Sequence, residues 1–125
     1  MARERATLDF LLSTDVPGAE ALRTQVRSAR ATAYCGCGCP SIALEVDRHH
    51  AQEAVSVTRP AAQTHNDPED AEATRWLTLW ADDGWLSYLE ISWISEEAPK
   101  EFPSPQLLKS FFPPGSRLGD TGRPR

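Results

Sequence analysis

Lysine is nearly missing from this sequence: it stands only at positions 100 and 109, and arginine carries the remaining positive side-chain charge. Together with abundant alanine, that bias follows GC-rich codons and suggests a high-GC bacterial genome. Positive charge is in deficit overall, with 13 Lys and Arg against 18 Asp and Glu, a formal net charge of -5. An acidic surface repels phosphate backbones, so no nucleic-acid partner is expected. No apolar run approaches the ~20 residues that cross a bilayer, so no membrane partner is expected either. The early run "LDFLL" is too short for a signal peptide and lacks a small-residue cleavage site. The expected location is therefore cytoplasmic, where thiols stay reduced. Cysteine is scarce as well, and the three present are an odd number, which fits poorly with a secreted disulfide framework. A close carboxylate pair, a phosphate-cradling loop and a Ser-His-Asp pattern are all missing. No enzymatic activity is expected, and no catalytic residue is assigned.

What is present suits one modest core. The chain has 125 residues, 40% of them hydrophobic and 25% charged, which is the balance of an ordinary globular domain. Residues 3 to 13 place Leu8, Leu11 and Leu12 at helical spacing. After "DVPG", a second helix has Ala19, Leu22, Val26 and Ala29 as its apolar stripe, with Arg23, Gln25 and Arg27 off it. "ATAYC" and "SIALEV" read as strands on either side of a cysteine-glycine bend. "EAVSVT" reads as a third strand, and residues 59–74 as a mobile acidic loop. "PQLLKSFF" reads as a last short helix and 113–125 as a disordered tail, so that 1–112 form one domain. Helices first and strands afterwards predict α+β: an N-terminal helical pair packed on a largely antiparallel sheet of about five strands.

The clearest signal is "TRWLTLWADDGWLSYLEISWIS", two apolar runs flanking a turn-forming Asp-Gly. With Asp83 and Gly84 as the two turn residues, Trp80 lies opposite Ser87 and Trp76 opposite Ile91. One face then holds Trp76, Trp80, Trp85, Leu89, Ile91 and Trp93, and the other Leu77, Leu79, Leu86, Tyr88 and Ile94. A one-residue bulge would regroup them. Either the C-terminal segment covers the second face, or Trp76, Trp80, Trp85, Tyr88 and Trp93 form an aromatic surface for self-association or a protein partner.

All three cysteines sit in "YCGCGCP", as Cys35, Cys37 and Cys39. In a straight strand alternate side chains stand ~6.6 Å apart, whereas two sulfurs sharing a zinc at about 2.3 Å lie within ~4.6 Å. An extended run cannot chelate, but Gly36 and Gly38 allow a fold that can. His49 and His50 are carried to the far end of the following strand. His65 returns to the cysteine end if "EAVSVT" pairs beside "SIALEV". The candidate site is therefore Cys35, Cys37, Cys39 and His65 with zinc, or the thiolates alone with Cu(I). A plain bend with reduced thiols needs no cofactor, and a thiol redox role is a third reading.

The segments "FLLS…PGAEALRTQ", "CGCGCPSIALEV", "DDGWLSYLEI" and "EFPSPQLL" together resemble a family of small uncharacterised bacterial proteins, many actinobacterial, with a central GCGCP motif. The resemblance spans residues 7 to about 108 and implies no activity and no catalytic residue. The two functional expectations are thus a non-enzymatic interaction or accessory module acting through the tryptophan-rich sheet, and a thiolate metal-binding or redox protein centred on the cysteines.

Overall fold

The computed structural model describes residues 2–108. Two helices come first, α1 (Ala2–Leu11) and α2 (Ala19–Val26). Five strands follow: β1 (Arg30–Tyr34), β2 (Ile42–Glu45), β3 (Ala62–His65), β4 (Arg75–Asp82) and β5 (Trp85–Trp93). They form one antiparallel sheet in the order β1-β2-β5-β4-β3. The α+β architecture is as the sequence predicts. Of the expected last helix, Pro105–Leu107 form a 3-10 turn, and residues 109–112, with the expected tail, lie outside the described residues.

The helices cover one face of the sheet. Leu8, Leu11 and Leu12 from the first helical segment and Leu22 and Val26 from α2 join Leu77, Leu79, Leu89 and Ile91 in one buried cluster. Each such side chain contributes about 1.5–3 kcal/mol on burial. That packing is what holds helices of only 10 and 8 residues, too short to persist alone. Two arginines fasten the pair reciprocally. Arg5 on α1 donates to the carbonyls of Val26 and Ala29 at the end of α2, and Arg23 on α2 donates to those of Leu12 and Thr14 beyond α1. Each guanidinium thus meets the orphan carbonyls and negative dipole end of the other helix.

Gln25 departs from the expected pattern. It is fully buried, not off the apolar stripe. Its Nε2 donates to the carbonyls of Gln52 and Gly84, and its Oε1 accepts from the Leu86 amide at 2.8 Å. A buried amide with all these partners ties α2 to the β4–β5 turn.

The third strand also differs from expectation. "EAVSVT" is irregular, with Val55 73% exposed, and β3 lies inside the stretch read as a connection. Residues 53–57 cross the β4–β5 turn instead: the Ala54 amide donates to the Gly84 carbonyl at 3.0 Å. A Cβ at Gly84, whose φ is +87, would stand 2.4 Å from the Ala54 carbonyl oxygen. In β3 the short side chains of Ala62 and Thr64 face the core while Gln63 and His65 face out.

The turn at Asp83 and Gly84 has both φ values positive, as a two-residue hairpin loop requires. A bulge at Ser87 then shifts the register, so Trp80 pairs with Tyr88, Trp76 with Ser92 and Ala81 with Leu86. This corrects the unbulged grouping. Leu89 and Ile91 turn to the core beside Leu77 and Leu79, and Tyr88 joins Trp76 and Trp80 on the outer face.

Candidate metal centre

The cysteines occupy the loop joining β1 to β2. The Cys35 amide donates to the Ser41 carbonyl at 3.2 Å, closing the hairpin, and the Gly38 amide donates back to the Cys35 carbonyl at 3.4 Å. Gly38 has φ +94, the left-handed conformation that lets the chain fold back, whereas Gly36 does not need it. The result differs from a strand: the three Sγ atoms lie within 4.8 Å of one another, and those of Cys35 and Cys37 are 3.0 Å apart. The Cys39 amide is directed at Cys37 Sγ from 3.4 Å. Burial grades across the cluster. Cys39 is buried in the core, Cys35 is half-buried against it, and Cys37 is exposed.

The far side of the loop is anchored by Ser41. Its hydroxyl accepts from the Ile91 amide at 2.9 Å, supplying a partner to β5 beyond the last paired residue of β2. Tyr88, three residues before Ile91 on β5, stands beside the cluster. Its phenol is held above its ordinary value of 10.0, first by burial and then by negative charge on Cys35 and Cys39, against an opposing hydrogen bond from Ser41. A phenol kept protonated is a poor metal ligand and a good hydrogen-bond donor.

His65 is not brought to the cysteines. Its placement depended on "EAVSVT" pairing with β2, but β2 is flanked by β1 and β5. His65 lies at the cysteine end of the sheet but on the opposite edge strand, three strand spacings or roughly 14 Å from β2. Its Nδ1 donates to the Asn66 carbonyl. His49 and His50 stand at the other end of β2, where His50 Nδ1 meets Asp47 Oδ2 at 2.8 Å. Among the described residues, no histidine or carboxylate joins the three sulfurs.

Of the expected aromatic surface, Trp76, Trp80 and Tyr88 share the face away from the helices, with Trp76 the most exposed at 37%. Trp80 is restrained, its Nε1 donating to Glu90 at 2.9 Å and its ring lying under Arg59 at 5.4 Å. Trp93 does not belong to this surface. It pairs with Arg75, in phase with the core residues, and packs against them. Trp85 sits at the far end under Arg48, 4.8 Å away, lining a cleft of about 830 Å³ with Arg30, Glu45 and Asp47. The cleft went unread in the sequence because its residues come from three separate segments. Arg30 and Glu45 pair within it at 3.2 Å, while Asp47 and Asp82 pair with His50 and Arg59 outside the lining.

Among the described residues, no helix is long and apolar enough to cross a membrane. Compared with protein-family models, curated proteins and solved structures, the chain matches none.

Proposed function

We propose that this chain binds one thiophilic metal ion through Cys35, Cys37 and Cys39. The observation that carries the reading is the clustering of three sulfurs within 4.8 Å. Around a zinc-like ion with 2.3 Å bonds, sulfurs stand about 3.8 Å apart at tetrahedral angles and about 4.0 Å apart in a trigonal plane. The Cys35–Cys37 pair need open by only ~1 Å to reach those values. Soft thiolates select Cu(I) and Zn(II) over hard cations. Three sulfurs complete the shell of a trigonal Cu(I), while zinc would need a fourth ligand from solvent or a partner. The donor set therefore favours Cu(I). Exposure of Cys37 leaves one edge open to ligand exchange, which suits a protein that holds an ion and hands it on. The test is anaerobic titration of the reduced protein with Cu(I) and, separately, Zn(II), read by native mass spectrometry. One copper ion should bind, and Cys37→Ser should abolish it; a wild-type protein that takes up neither ion refutes the reading.

A second reading rests on the outer sheet face, which Trp76, Trp80 and Tyr88 share, Trp80 paired with Tyr88, and which no helix of the described residues covers. It takes this face as a docking surface for a protein partner or a second copy, with Glu90, Asp82 and Arg59 as a polar rim. Light scattering tests self-association: a dimer weakened by Trp76→Ala supports that form. A strict monomer whose tryptophan fluorescence is already shielded argues against a docking surface.

A further inference from the structure

The metal reading uses the three sulfurs alike, but their surroundings are not alike, and the differences point to a second chemistry. Cys37 is the exposed thiol, so a small molecule in solution meets it first. Its sulfur already has a neighbour 3.0 Å away, Cys35 Sγ, and is oriented by the Cys39 amide. Cys39 itself is buried and shielded from solvent. The turn that brings these groups together is closed by the Gly38–Cys35 backbone hydrogen bond and requires no movement of the sheet.

We infer that Cys37 and Cys35 form a reversible thiol–disulfide couple that reacts with low-molecular-weight disulfides, Cys37 attacking and Cys35 resolving. In the first step the Cys37 thiolate attacks one sulfur of a disulfide RSSR. A bond forms between Cys37 Sγ and that sulfur, the S–S bond of RSSR breaks, and RS⁻ leaves with the electron pair. In the second step Cys35, having lost its proton to water, attacks Cys37 Sγ and expels the second RS⁻. The two released thiolates take up the two protons given up by the cysteines. The protein has lost two protons and two electrons, and RSSR has become two RSH. Two cysteines separated by one residue close a small ring, and exposed or strained disulfides are the readily reduced ones, so excess RSH reverses the couple. The same two sulfurs cannot serve a metal and a disulfide at once. Oxidation therefore empties the site, and a bound ion protects it. The couple shares its sulfurs with the proposed metal centre but does not require that the centre bind metal.

The experiment treats the reduced, metal-free full chain with glutathione disulfide and follows intact mass. Wild type should lose two hydrogens without retaining glutathione. Cys35→Ser should accumulate a single glutathione adduct, mapped to Cys37, because the resolving step is gone. Cys37→Ser should react more slowly by roughly tenfold or more, since only the less exposed thiols remain. His65→Ala, on the opposite edge strand and outside the cluster, should behave like wild type. Persistent glutathione on wild type, or an internal disulfide that survives in Cys37→Ser, would overturn the assignment. Disulfide formation in a protein that takes up neither copper nor zinc would sink the metal reading alone. Metal uptake without any disulfide would sink this one alone.

Discussion

Replacing Gly38 by alanine separates the loop's conformation from its ligands, because no sulfur is touched. Gly38 sits at φ +94, and around it nothing lies within 4 Å of an added Cβ, so the effect comes from the backbone and not from crowding. Holding a residue with a Cβ in the left-handed region costs roughly 1–2 kcal/mol. If the clustered loop is the metal-competent one, its population falls by that free energy. At 1.4 kcal/mol per factor of ten, affinity for Cu(I) should weaken by roughly 5- to 30-fold. Gly36 is the internal control, since it too has open space around it but lacks a positive φ. Gly36→Ala should therefore bind within about twofold of wild type. The assay is competition of each variant against a chromophoric Cu(I) chelator under anaerobic conditions. Equal affinities for Gly38→Ala and wild type, or an equal loss in Gly36→Ala, would refute the claim that this turn builds the site.

Three further outcomes follow from the same structure. Gln25→Leu keeps the volume but leaves the buried Leu86 amide without its acceptor, while the Gly84 carbonyl keeps its bond from Ala54; urea unfolding should show a loss of about 1–3 kcal/mol, and a change under 0.5 kcal/mol would contradict the role given to this side chain. In a Tyr34→Phe background the ultraviolet titration of Tyr88 should fall above 10.0, and Cys35→Ser or Cys39→Ser should lower it, whereas Cys37→Ser should leave it in place. Because that phenol is raised on folding, its contribution should be present below pH 10.0 and be lost as pH rises through the folded value. The Arg59 guanidinium, 2.7 Å away, holds Asp82 below its ordinary 3.8, so the stability it adds should be present above that value and be lost as pH falls through the lower folded one. Asp82→Asn should accordingly lose that small surface contribution at pH 7 and converge with wild type in acid, flattening the limb of the stability–pH curve below about pH 4; an unaltered acid limb would remove the pair from the account.

Much of the fold was written in local patterns. Apolar residues at helical spacing marked both helices, and Asp-Gly between apolar runs marked the hairpin, because those signals depend on neighbours in sequence. What failed depended on contacts made elsewhere. The bulge at Ser87 has no sequence marker of its own, and moving the register by one residue sent Leu89 and Ile91 inward and Tyr88 outward. The alternating valines of residues 53–58 looked like a strand, yet that stretch serves to cross the hairpin turn, which only the close approach of Ala54 to Gly84 discloses. With it went the placement of His65, since strand order is a property of the whole sheet. Gln25 was misjudged for the same reason: a polar side chain is buried when distant backbone groups satisfy it. The cysteine loop was readable because its geometry is local. Glycines at 36 and 38 permitted a fold that an alternating strand forbids, and Gly38 alone turned out to use that freedom.

The most direct test of the central claim is metal stoichiometry under conditions that keep the thiols reduced. Titrated with Cu(I) in the absence of oxygen and weighed intact, the wild-type chain should carry one ion. Each of Cys35→Ser, Cys37→Ser and Cys39→Ser should bind far more weakly, and His65→Ala should bind as wild type does. A protein that stays metal-free, or one whose uptake survives the loss of Cys37, would contradict a site built on these three sulfurs.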